Sequence, residues 1–139
     1  MSKKNPVVHF EMPAEDTNRM STFYNSAFGW ETKVLGEEMG NYVLVTTTET
    51  DERQMPVTTG CINGGFYPKT PEAPHPSLVI EVENINDIIK KIKDAGGTVL
   101  GEPQEIPGFG MYVSFNDTEG NRVSLMEPFM GVDTNQVNL

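Results

Sequence analysis

Hydrophobic positions in this chain follow two rhythms in turn, and then follow them again. From Val7 to Met12 they alternate, with Val8, Phe10 and Met12 on one side and Val7, His9 and Glu11 on the other. That is the period of a half-buried strand. Met20, Phe23, Tyr24 and Ala27 then recur at helical spacing, and Gly29 supplies a stop. The spacing predicts a helix opened by Pro13-Ala-Glu-Asp16, with both acids near its positive end. Later the same order returns. Leu78 to Val82 reads as a strand, and Ile85, Ile88, Ile89 and Ile92 form a helical stripe that ends near Ala95.

The two passages align without a gap. His9 falls on Ser77, an offset of 68 residues (77 less 9), and the offset runs through Met20 on Ile88 and Ala27 on Ala95 to Gly29 on Gly97. Few letters are shared, so the repeat is one of pattern. Three further strands are expected after the first helix: Trp30 to Leu35, Tyr42 to Thr48, and a glycine-spotted strand from Val57 to Phe66. Thr98 to Leu100, Met111 to Phe115 and Arg122 to Met126 follow the second helix. Between the passages, Tyr67 to Pro76 holds four prolines and reads as a linker. Each half is therefore β-α-β-β-β. We divide the chain into a first module (residues 1–68), a linker (69–76), a second module (77–128) and a polar tail (129–139). Neither half is large enough to bury a secure core alone.

In each half the helix stripe should cover one sheet face, Val8/Phe10/Met12 or Leu78/Ile80/Val82. The opposite faces, with His9 and Ser77, are left to line a cleft. Composition narrows what could enter it. The net charge of −10 and pI near 4.5 oppose nucleic-acid binding, which needs clustered cations. They lean weakly toward a cationic over an anionic ligand. One cysteine, Cys61, excludes an internal disulfide and fits a reducing cytoplasm. No apolar run is long enough for a membrane span, and Met1-Ser-Lys-Lys-Asn lacks the apolar core of a signal peptide.

The order, the repeat and certain letters resemble the vicinal oxygen chelate superfamily, which includes glyoxalase I, bleomycin-resistance proteins and extradiol dioxygenases. The likeness is carried by His9…Asp16…Phe23-Tyr24…Phe28-Gly29-Trp30, by Ala95-Gly-Gly-Thr-Val99, and by Asp117-Thr-Glu-Gly-Asn-Arg-Val-Ser-Leu-Met-Glu-Pro128. It extends over roughly residues 6 to 128. Gly64-Gly-Phe-Tyr-Pro68 and Ile106-Pro-Gly-Phe-Gly110 add a likeness to small glyoxalase-like members. The resemblance implies an α+β fold of two paired βαβββ modules whose strands form a cup-like sheet. Activity does not follow, because the fold hosts isomerases, dioxygenases, transferases and binders.

The resemblance also implies four metal-ligand positions, which fall here on His9, Asn63, Ser77 and Ser124. The placement of Asn63 comes from matching Ile62-Asn-Gly64 to Val123-Ser-Leu125. Only His9 is a strong ligand, so no metal or other cofactor is expected. Ligand-cleft candidates are His9, Glu11, Asn63, Ser77, Tyr112 and Ser124. His9 and Glu11 are the candidate catalytic pair, and a neighbouring carboxylate would let the imidazole keep its proton to higher pH. Alternatively His9 is a satisfied interior histidine.

Phe66, Phe109 and Tyr112 could wall the cleft or fill it. Trp30, Met111, Met126 and Met130 read first as core, Cys61 as a small buried strand residue, and His75 and Glu127 as surface residues. Three functions remain open. One is a metal-independent protein that binds a small molecule in the cleft between its modules. The second is a metal-dependent lyase or isomerase of the glyoxalase I type, with His9 as ligand. The third is a structural or regulatory dimer without a working site. A homodimer is expected, because relatives often complete the cleft with a second copy and short sheets leave edges that need cover.

Overall fold

A computed structural model describes residues 4–52 and 56–129. The chain forms β1 (Val7–Ala14), α1 (Thr17–Phe28), β2 (Glu31–Val34), β3 (Val43–Thr46), β4 (Asn63–Pro68), β5 (Ser77–Glu81), α2 (Ile85–Asp94), β6 (Thr98–Ile106), β7 (Gly110–Asn116) and β8 (Arg122–Pro128). A 3-10 turn, Glu37–Met39, lies between β2 and β3. Among the described residues, eight strands in a mixed sheet with two helices make an α+β fold, as expected. His9–Pro76 form one compact unit, and residues 77–129 form the other together with residues 4–8. The expected tail lies outside the described residues beyond Phe129.

In the first unit the strands run β2-β3-β4-β1. β1 and β4 are parallel, with His9 opposite Asn63 and Phe10 opposite Gly64. β3 is antiparallel to both β2 and β4. Val43, Val45 and Phe66 form a buried core, against which Phe10, Met12, Met20, Tyr24 and Trp30 pack. The predicted stripe on α1 is only half right. Met20 and Tyr24 face the core, while Phe23 is 58% exposed and Ala27 is exposed. The Trp30 ring stacks on Tyr24 at 4.6 Å, and Phe23 lies edge-on to Tyr24 at 5.0 Å.

In the second unit the order is β5-β8-β7-β6. Val82, Ile85, Val113 and Leu125 form its core, with Ile80, Ile88, Ile89, Ile92, Val99, Met111 and Phe115 around them. The isoleucine stripe of α2 is used in full. Leu78 departs from its expected place and is 47% exposed.

The two helix starts are conformational copies. Asp16 caps α1 at φ −137° and ψ 102°, accepting from the Arg19 N–H. Asn84 caps α2 at φ −138° and ψ 105°, accepting from the Asp87 N–H. Both positions obey the 68-residue offset. Helix α1 thus starts later than expected, because β1 keeps pairing with β4 as far as Ala14 opposite Pro68. Tyr67 and Pro68 accordingly belong to a strand rather than to the linker. The strand expected over 57–66 begins only at Asn63, so Cys61 is a half-buried residue of the preceding loop. The other strands differ from expectation by one to several residues at their ends, most in β6, which runs on to Ile106 past a register shift between Leu100 and Gln104.

Glu127, expected at the surface, is half-buried and takes part in a helix cap. Its Oε1 accepts the Ile85 N–H at 2.7 Å. Ile85 is 2% exposed, so losing that acceptor strands a buried donor. Glu127→Ala should cost about 1–3 kcal/mol by urea unfolding, with an unchanged m-value, and Glu127→Gln should cost clearly less.

Candidate functional site

Alternation sorts the first unit's sheet into two faces. Phe10, Met12, Val43, Val45, Gly64 and Phe66 share the face under α1, by their registers. His9, Glu11, Leu44, Asn63, Gly65 and Tyr67 share the other. Phe66 is 0% exposed and belongs to the core, so it is no ligand wall.

Gly64 and Gly65 make this arrangement possible, one on each face. A Cβ on Gly64 would lie 2.5 Å from the Phe10 ring. A Cβ on Gly65 would collide with the Tyr42 ring and hydroxyl. Because Gly65 has no side chain, Tyr42 can lie across β4 and reach β1. Its hydroxyl meets His9 Nε2 at 2.8 Å, with the rings stacked at 6.4 Å and 20°. Tyr42 was not anticipated from sequence. The signal was present in the Gly-Gly pair, which implies that something large crosses β4.

Burial lowers the His9 pKa from 6.5 to about 4. The expectation of a raised pKa through Glu11 is therefore wrong: loss of hydration dominates, and it penalises the imidazolium. At neutral pH His9 is an uncharged ring that both donates and accepts. Glu11 is half-buried on the same face, two residues along. Asn63 is partly committed elsewhere. Its Oδ1 accepts the Thr47 N–H at 3.0 Å, while Thr47 Oγ1 donates to the Ile62 carbonyl at 2.7 Å.

The second unit carries its own polar group on the face away from α2. Ser124 Oγ lies 2.7 Å from the Tyr112 hydroxyl and 2.9 Å from Ser114 Oγ. Ser124 is 1% exposed and Ser114 5%. Tyr112 and Ser124 were both expected, whereas Ser114 was missed. Plain alternation from Tyr112 would have found it, two residues on in β7. Ser77 is half-buried at the start of β5. Its expected equivalence with His9 meets a two-residue shift: His9 pairs with Asn63, but Val79 pairs with Ser124. Ser124 thus matches Gly65 rather than Asn63 in register, although on the same face.

The remaining candidates fall away from these groups. His75 is exposed, and its carbonyl accepts from the Tyr67 hydroxyl at 3.1 Å. Phe109 sits half-buried in the turn before β7, Met111 packs on the core and Met126 is 8% exposed. Met130 lies outside the described residues. On the helix side of the first unit a groove of about 470 Å³ is lined by residues including Glu15, Asp16, Arg19, Phe23 and Lys69. It holds neither His9 nor Tyr42, and Lys69 approaches Glu15 at 3.9 Å.

The donors suit a divalent metal poorly. Nε2 of His9 is engaged by Tyr42, Asn63 Oδ1 by a backbone N–H, and Ser124 Oγ by two hydroxyls. Among the described residues no three His, Cys, Asp or Glu side chains group as metal ligands. Neutral hydroxyls and amides do little to offset dehydration of a divalent ion.

Residues 7–125 match the profile of the Glyoxalase/Bleomycin resistance protein/Dioxygenase superfamily. The chain belongs to that superfamily. No curated protein gives a significant match. Among solved structures, a hypothetical protein from Bacillus halodurans C-125 is similar at a TM-score of 0.66 and 13% identity, over 95% of this chain and 100% of that one. A methylmalonyl-CoA epimerase in complex with methylmalonyl-CoA and NH4+ is similar at 0.61 and 16%, over 87% and 92%. A single-residue variant of the Streptomyces coelicolor methylmalonyl-CoA epimerase, in complex with 2-nitronate-propionyl-CoA, is similar at 0.60 and 17%, over 86% and 94%. At these identities the likeness is one of fold.

The depressed His9 pKa has a measurable consequence. Above pH 6.5 the ring is neutral folded and unfolded, so it adds no pH dependence. Between pH 6.5 and about 4 the unfolded chain takes up the proton and the folded chain does not, so stability falls as pH falls; below about 4 the dependence ends. The loss is at most about 3 kcal/mol. Relative to wild type, His9→Gln should lack this slope in urea midpoints between pH 7 and 4. The His9 ring protons should titrate by NMR with a midpoint near 4.

Proposed function

We propose that this protein binds a small uncharged or cationic molecule, held by hydrogen bonds on the helix-free sheet face of its first unit, without a catalytic metal. The observation that supports it best is the His9–Tyr42 pair, a neutral imidazole bonded to a phenol on a face that no helix covers. Such a pair can give or take a proton in a hydrogen bond without carrying charge. The Tyr112–Ser124–Ser114 hydroxyls have the same character. Small-ligand sites typically combine apolar walls with a few placed polar groups of this kind. Glu11, an acid on the His9 face, and the net charge of −10 favour a cation over an anion.

This reading separates the chain from its epimerase neighbours. Their complexes hold coenzyme A thioesters or analogues, which carry several phosphate charges. Nothing among His9, Tyr42 and Asn63 would neutralise them. A metal-dependent lyase is less well supported, because its lead ligand His9 is already bonded to Tyr42.

Thermal denaturation against a library of neutral and cationic aromatic compounds tests the reading. A true ligand at a hundredfold excess over its Kd should raise Tm by roughly 8–10 °C. The shift should disappear in Tyr42→Phe. Stabilisation by a coenzyme A thioester, or by Zn²⁺, Ni²⁺ or Mn²⁺ in a His9-dependent manner, would contradict it.

A further inference from the structure

Strand β2 closes the sheet order at one end. All four of its residues are exposed, and Val34 is 60% exposed. Phe28, which ends α1, is 63% exposed. Glu31 and Lys33 make no ion pair within the chain, among the described residues. An open edge that carries apolar side chains invites another strand.

The direction of the backbone groups follows from the pairing with β3. Leu35 donates to the Tyr42 carbonyl at 2.8 Å, and that pair continues the β2–β3 register. Hydrogen-bonded pairs alternate in an antiparallel ladder. Lys33 opposite Leu44 and Glu31 opposite Thr46 therefore turn their backbone groups inward. Thr32 and Val34 turn theirs to the free edge.

We infer that two copies of this chain pair antiparallel through β2, about a two-fold axis at Thr32. Each Thr32 N–H then donates to the Thr32 carbonyl of the other copy. Glu31 faces Lys33 of the second copy across a non-hydrogen-bonded pair, where side chains approach most closely. Symmetry makes two such ion pairs, both on the face that carries His9. On the helix-side face Val34 meets Trp30 of the second copy, beside the ring of Phe28, whose centroid lies 6.1 Å from that of Trp30. The seam is short, because the Trp30 carbonyl already accepts from Asn25 Nδ2 at 3.0 Å.

Other registers fail. An axis at Lys33 sets lysine against lysine. An axis at Val34 leaves Glu31 and Lys33 without opposite charges. Only the Thr32 axis matches backbone, charge and apolar surface together. It makes an isologous contact, in which the same patch serves both copies.

Sedimentation velocity over a range from low to high micromolar protein tests the seam. Wild type should be dimeric at the upper end. Lys33→Glu places glutamate against glutamate twice and should raise the dimer Kd roughly tenfold or more. The charge exchange Glu31→Lys with Lys33→Glu restores both ion pairs, and should bring Kd back to within about threefold of wild type. Circular dichroism should confirm that all three proteins are folded. A wild-type monomer at high micromolar concentration would overturn the inference. So would an unaffected Lys33→Glu dimer, or a double variant no tighter than the single one.

Discussion

Close approach of two aromatic rings to one strand shapes the first unit of this protein. Gly64 and Gly65 occupy consecutive positions of β4 and therefore present their missing side chains to opposite faces. Phe10 takes the space on the helix side, and Tyr42 takes it on the other. The first contact lets β1 join the core of Val43, Val45 and Phe66. The second delivers a phenol hydroxyl to His9. Core and candidate site thus rest on the same dipeptide, at the entropic cost of two glycines in a strand.

The second unit reaches a comparable polar face by another route. Its counterpart strand, β8, carries Val123 and Ser124 where β4 carries the two glycines, by the register of Ser124 with Val79. Leu125, in the place of Phe66, fills the core of its own unit. The small buried Ser124 collects hydroxyls from Tyr112 and Ser114 instead. Two halves of one pattern have kept helix caps of almost identical conformation while diverging in how their open faces are furnished. A fold repeated in this way constrains where a site can stand more than what it does.

Sequence alone revealed much of this architecture because most of it depends on short-range rules. The 68-residue offset predicted equivalent helix starts, and Asp16 and Asn84 are both caps. The glycine stop after α1 takes the left-handed conformation at φ 75°. The full stripe on α2 followed from four isoleucines. Failures came where a distant residue decides. Nothing near Tyr24 announces that Trp30 will stack on it. The reach of Glu127 to Ile85 crosses 42 positions. For His9 the error was one of magnitude: a carboxylate two residues away was weighed, and burial within the fold outweighs it. Ser114 was legible and overlooked, while Tyr42 required reading two glycines as space for another ring.

The central claim is that Gly65 holds Tyr42 over His9 and so keeps that histidine buried and neutral. The most direct measurement is the His9 titration in Gly65→Ala, followed by NMR on folded protein. A Cβ at position 65 cannot coexist with the Tyr42 ring where it now lies. The account predicts that the ring moves, water reaches the imidazole, and the pKa rises from about 4 toward 6.5. A folded Gly65→Ala protein whose His9 still titrates near 4 would contradict it.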